Sequence, residues 1–106
     1  DCSGLMQYVY SHFGVSLPRV ANDQAYYGQN VFHGQGAVAN MSALQPGDLI
    51  AFSSSGGLNY QHIGMYIGGG QMVHAPKPGD VVKVTALSNW YNQVWRVQRV
   101  ATGTAT

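Results

Sequence analysis

The chain has 106 residues, 45% of them hydrophobic and only 8% charged, with a formal net charge of +1. That length suits one domain with one core, and the charged share lies far below the roughly 25% of an ordinary soluble domain. The five basic residues, Arg19, Lys77, Lys83, Arg96 and Arg99, are spread along the chain, so the electrostatic footprint of nucleic-acid binding is missing. No apolar run approaches the 18 or so residues of a membrane span, and nothing at the start reads as a signal peptide. A chain that opens at Asp1 without Met reads as a mature or excised piece of something longer. Polarity carried by Tyr, Asn, Gln, Ser and Gly points to work outside the cytosol on a neutral or sugar-rich partner. There is no Glu, and Asp1, Asp23, Asp48 and Asp80 are far apart, so a glycosidase pair of carboxylates is hard to assemble.

In chain order, the first predicted element is a helix over residues 3–13, with Leu5, Val9 and Phe13 on one stripe, Met6 beside them and Gly14 placed to end it. Asp1 is the candidate N-cap. Residues 18–40 read as a short helix around 20–27 followed by loop. After Gln45-Pro46-Gly47-Asp48 the pattern changes to strands at 49–52, 61–67, 71–75, 81–85 and 94–100, recognised by β-branched and aromatic alternation between Gly and Pro breaks. Asp48 reads as a turn residue feeding the first of them. One or two helices followed by a run of strands predict an α+β domain with an antiparallel sheet of about five strands. The expected domain is 1–100, with 101–106 a linker or disordered tail.

A single cysteine, Cys2, stands at the start of the helix, where unpaired backbone N–H groups and the macrodipole favour a thiolate. Four histidines accompany it, and two of them, His62 and His74, fall in one predicted hairpin, QHIGMYIGGGQMVHAP. Alternation puts His62, Gly64 and Tyr66 on one face, and Ile63, Met65 and Ile67 on the other. Whether the two imidazoles share a face depends on the loop. A two-residue turn pairs Gly68 with Gln71 and separates them, whereas a three-residue turn pairs Ile67 with Gln71 and brings them together. In the second case Cys2, His62 and His74 can act as nucleophile, base and orienting group. The backbone near Cys2 and Ser3 would then supply oxyanion donors, and Gly64 would leave room for a substrate or the His74 ring. Plainer readings stand beside this one: a packing cysteine, satisfied strand histidines, or a zinc site, which no short ligand spacing supports. His12 and His33 read as surface residues, and Tyr66, Trp90 and Trp95 as core or groove lining. Arg19 and Gln24 are further candidate groove residues, although Arg19 reads first as a solvated charge after Leu17-Pro18 and Gln24 is similarly ambiguous.

The segments DCSGL, LPR with Gln24, LQPGDLIAF and HIGMYIGGGQMVHAP, in that order, resemble the NlpC/P60 family of papain-like cell-wall cysteine peptidases, over residues 1 to about 76. The resemblance implies a papain-like α+β fold whose N-terminal helix bears the cysteine, and a bacterial, secreted thiol protease of the cell wall. By position Cys2 matches the nucleophile, His62 the general base and His74 the third polar residue. The implied substrate is a peptidoglycan stem peptide, cut at the γ-D-glutamyl to diamino acid bond through a thioester, with no cofactor and no metal. An amidase or acyl transferase using the same triad, or a non-catalytic wall-binding module, are the alternatives. The resemblance also implies some tens of residues upstream of the cysteine, including a tyrosine that lines the site. This sequence does not include them, so an upstream segment or additional wall-binding domains are the expected partners.

Overall fold

The computed structural model describes residues 2–34, 44–57, 59–75, 82–88 and 94–100. Asp1, Trp90 and the tail 101–106 lie outside the described residues. Two helices, α1 (Cys2–Ser11) and α2 (Ala21–Gln24), precede and flank six strands: β1 (Gln29–His33), β2 (Leu49–Phe52), β3 (His62–Gly68), β4 (Gln71–His74), β5 (Lys83–Ala86) and β6 (Val94–Arg99). All strands form one antiparallel sheet in the order β1-β6-β2-β3-β4-β5. The α+β class is as expected, and five of the strands coincide with the predicted ones to within two residues. The sixth, β1, falls where loop was expected. Its sequence, QNVFH, carries no run of alternating apolar residues. It forms because β6 presents an edge to pair with, and Asn30 donates to the Val97 carbonyl at 3.3 Å and to Gln98 Oε1 at 2.8 Å.

Helix α1 ends two residues earlier than its periodicity suggested, in a turn where the Val15 N–H donates to the Tyr10 carbonyl at 3.1 Å. Its buried stripe is Ser3, Met6 and Tyr10, not the Leu5, Val9 and Phe13 of the apolar pattern; Phe13 is 50% exposed. Tyrosine explains the rotation. Its ring joins Met6, Leu17, Leu49, Ile63 and Met65 in the core beneath the helix, while its hydroxyl donates to the Gly47 carbonyl, so an amphipathic side chain takes the place a purely apolar stripe would assign to Phe13.

Strand β2 is buried at every position, as befits a strand covered on both faces. Leu49 faces the helix-side core and Ala51 packs with Ala25 and Tyr60. Ile50 and Phe52 join Leu44, Tyr66, Met72, Leu87 and Val97 in a second core on the opposite face. The turn into β2 is tied to the end of β6 through Asp48, whose carboxylate receives Arg99 Nε at 2.9 Å and Nη2 at 2.8 Å, and whose Oδ2 also accepts from the Gln45 N–H at 2.9 Å. Asp48 is thus the turn residue the sequence suggested and also the anchor of a two-pronged ion pair. Among the described residues no helix is long and apolar enough to cross a membrane.

Candidate active site

The hairpin β3–β4 settles its register by combining the two loops the sequence allowed. Gly68 pairs with Gln71 around the two-residue turn Gly69-Gly70, yet Tyr66 pairs with Met72 and Met65 with Val73, with an irregularity between Tyr66 and Gly68. One extra residue, Ile67, is therefore accommodated as a bulge, and beyond it the pairing is that of the longer loop. Left-handed backbone at Gly68, Gly69 and Gly70, with φ of 93°, 63° and 75°, lets the chain turn and bulge in succession in a conformation that residues with a Cβ rarely adopt. The consequence is that His62 and His74 share a face.

On that face His62 Nε2 lies 2.7 Å from His74 Nδ1, with ring centroids 5.0 Å apart and planes at 64°. The other nitrogen of His74, Nε2, lies 2.9 Å from Thr85 Oγ1 on β5. His74 is 1% exposed, and the His62 ring leans on Phe52 at 5.2 Å between centroids. Burial, reinforced by the neighbouring His74, lowers the His62 pKa from 6.5 to about 4, because both disfavour a second positive charge there. Above that pH the His62 ring is uncharged. Gly64 makes the approach of the two strands possible. A Cβ at that position would stand 2.9 Å from Met72 Sδ and 3.4 Å from His74 Cβ, so the space it leaves is taken by these two side chains.

Cys2 opens α1, half-buried at the margin of the helix-side core. The turn that carries it is held by two polar contacts to Ser3, and one of the two donors is itself tied to Pro18. Arg19 Nη1 donates to the Ser3 hydroxyl at 2.9 Å, and Gln24 Nε2 donates to the Ser3 carbonyl at 3.0 Å and to the Pro18 carbonyl at 2.8 Å. Arg19 is exposed, as a solvated charge would be, and also reaches the first turn through this bond. Gln24 is 0% exposed and directs its amide hydrogens to backbone; its Oε1 has no hydrogen-bond partner among the described residues. From the same short helix, Asn22 Oδ1 accepts the Tyr60 N–H at 2.9 Å. Helix α2 thus brackets the first turn of α1 and the chain entering β3, two residues before His62, while α1 itself lies against β3.

The structure brings His62, His74 and Thr85 together, and gathers Ser3, Arg19 and Gln24 around the turn bearing Cys2. His12 and His33 are exposed, as expected, and bond locally to the Tyr8 carbonyl and to Asn30 Oδ1. Tyr66 is core. Thr85 was missed by the sequence reading, since a threonine in an edge strand carries no signal until the β4–β5 register is known. Among the described residues no group of three or more His, Cys, Asp or Glu side chains is arranged to hold a metal ion.

Comparison with known proteins agrees with this architecture. The chain is 36% identical over 89 residues to a gamma-D-glutamyl-L-lysine dipeptidyl-peptidase of Bacillus subtilis, covering 83% of this chain and 27% of that protein. It is 34% identical over 95 residues to the murein DD-endopeptidase MepH of Escherichia coli, covering 88% of this chain and 32% of that protein. Among solved structures, RipD of Mycobacterium tuberculosis, described as a non-catalytic NlpC/p60 domain protein adapted to peptidoglycan binding, superposes with a TM-score of 0.71 at 32% identity, covering 95% of this chain and 67% of that one. The chain spans less than a third of the length of each of these two curated relatives. The NlpC/P60 family model matches residues 1–101, and with the helix, the six-stranded antiparallel sheet and the paired histidines in place, this chain belongs to the NlpC/P60 family.

Proposed function

We propose that this chain is a cysteine peptidase domain acting on peptidoglycan stem peptides outside the cytoplasm, with Cys2 as nucleophile, His62 as general base and His74 as the residue that orients it. The observation that carries the reading is the 2.7 Å contact between His62 Nε2 and His74 Nδ1. It commits Nε2 of His62, so a proton leaving the Cys2 thiol is taken at Nδ1. The sulfur then attacks the peptide carbonyl carbon. Negative charge on the tetrahedral oxygen is stabilised by backbone N–H groups near Cys2 and Ser3 at the start of α1. Return of the proton from His62 to the departing amine leaves a thioester. Water, deprotonated by His62, then releases the acid and restores the thiol.

Arg19, held on Ser3, offers a cation to an anionic stem peptide beside the reacting turn. Gln24 supports that turn from beneath, and Gly64 lets the two histidine strands close. The bond expected to break lies between γ-D-glutamate and the diamino acid, which is the linkage named for the Bacillus subtilis relative. The MepH name points to a different linkage, so the triad sets reaction class and the groove sets the bond. Product masses from purified peptidoglycan distinguish an endopeptidase from an amidase or acyl transferase.

A purely binding role is the second reading, favoured by the similarity to RipD. The joint presence of the thiol and two hydrogen-bonded imidazoles favours catalysis over it. Cys2→Ala separates the two: peptidoglycan cleavage should vanish while the circular dichroism spectrum stays that of the parent. Cleavage undiminished by this change would overturn the nucleophile assignment.

A further inference from the structure

We infer that Thr85 is a positioning residue of this centre: its hydroxyl oxygen accepts a hydrogen bond from His74 Nε2–H and so keeps the Nδ1 lone pair of His74 directed at His62. The inference rests on the Cys2–His62–His74 reading and extends it by one member. The geometry leaves two self-consistent directions for the chain of hydrogen bonds. In one, His62 Nε2–H donates to His74 Nδ1 and His74 Nε2–H donates to Thr85 Oγ1. In the other every bond is reversed, with the threonine hydroxyl donating to His74. Only the first leaves His62 Nδ1 with a lone pair for the thiol proton. Only the first survives once His62 is an imidazolium, because both its nitrogens are then donors. A threonine hydroxyl can rotate to accept at that moment, and a side chain without an acceptor cannot.

The strand that supplies it is patterned against burial. Met72 pairs with Thr85 and His74 with Lys83 across β4 and β5, which puts Thr85 diagonally opposite His74, within side-chain reach. Val82, just before β5, and Val84 within it are 55% and 59% exposed, while Thr85 is half-buried, as is Ala86 after it. An edge strand that turns its valine to solvent and its threonine inward breaks the usual binary pattern, and a local rule broken in this way is the mark of a functional position. The sheet places the hydroxyl 2.9 Å from a histidine nitrogen that is out of reach of bulk water.

Thr85→Val keeps the shape and removes the acceptor; Thr85→Ser keeps the acceptor. On purified peptidoglycan fragments, the valine variant should lose about tenfold or more in kcat, equivalent to about 1.4 kcal/mol, with KM within about twofold, and serine should restore most of the rate. Nitrogen-15 spectra of the wild-type imidazoles should show His74 as the Nε2–H tautomer, and this form should be diluted in Thr85→Val. A merely structural threonine would alter thermal stability but neither the tautomer nor the split between kcat and KM. Wild-type kcat in folded Thr85→Val, or His74 found as the Nδ1–H tautomer in the wild type, overturns the inference. Should Thr85→Val not fold, the wild-type tautomer and the serine variant decide. His62→Ala run in parallel keeps the two levels apart. An active His62→Ala refutes the proposed function, whereas an inactive one beside a full-rate Thr85→Val refutes only the role of Thr85.

Discussion

Replacing Gly64 by alanine tests how tightly the two histidine strands are built. Gly64 does not adopt a positive φ, so the change introduces no backbone strain and its effect is steric. The new Cβ would lie 2.9 Å from Met72 Sδ and 3.4 Å from both His74 Cβ and the Val73 carbonyl oxygen. Met72 is 0% exposed and wedged among Ile50, Phe52, Tyr66 and Leu87, so its sulfur has no open side to retreat to. Comfortable contact demands a shift of about 0.6 Å or more, and overpacking of this kind costs about 1–3 kcal/mol. His74 is pushed away from Gly64 by a few tenths of an ångström at the same time, enough to stretch a bond that now measures 2.7 Å. Misplacement by about 1 Å can cost about a hundredfold in rate. We therefore expect a loss of about tenfold in kcat together with the fall in stability. Urea unfolding gives the first quantity, and peptidoglycan-fragment turnover, normalised to folded protein, gives the second. An alanine variant with the parent's unfolding midpoint and turnover would refute the close packing of Gly64 on Met72 and His74.

Two further outcomes follow from the electrostatics. Because the folded state lowers the His62 pKa from 6.5 to about 4, the unfolded chain binds more protons between those values. The contribution of His62 to stability is thus complete above about pH 6.5, declines as pH falls, and is gone below about pH 4. It amounts to about 1–2 kcal/mol once solvent screening of a partly exposed ring is allowed for. Urea midpoints measured from pH 4 to 7 should show a steeper acid decline for the wild type than for His62→Gln, and coincident curves would contradict the burial of the ring. Arg99→Ala strips the Asp48 carboxylate, whose side chain is 2% exposed, of both its guanidinium bonds. A loss of about 3 kcal/mol in unfolding free energy is expected, and a loss below about 0.5 kcal/mol would mean that the pair is solvated like an ordinary surface bridge.

Much of the site was legible along the chain because its signals are local. A cysteine followed by Ser-Gly at the head of an amphipathic helix needs only neighbouring residues to be read, and so do two histidines separated by alternating apolar residues and three glycines. The alternation of β3 already separated His62 from Ile63 and Met65, which pack beneath the helix. The short helix α2 and five of the six strands follow from the same local periodicities.

Contacts between distant residues belong to a different order of information. Nothing local tells that Ile67 bulges, and that one residue decides whether His62 and His74 meet. Arg19 docks on Ser3, Gln24 on the carbonyls of Ser3 and Pro18, and Thr85 on His74, each across a span of 6 to 21 residues. Tyr10 displaced Phe13 from the core because a carbonyl at Gly47 was there to receive its hydroxyl, and β1 formed because β6 offered an open edge. Sequence by itself determined that Cys2, His62 and His74 are the candidates for chemistry and on which kind of element each sits, since propensity and periodicity act over a few residues. Tertiary structure alone decided which of them touch, because strand register and helix docking are set by packing between segments far apart in the chain, where a shift of one residue reverses every face.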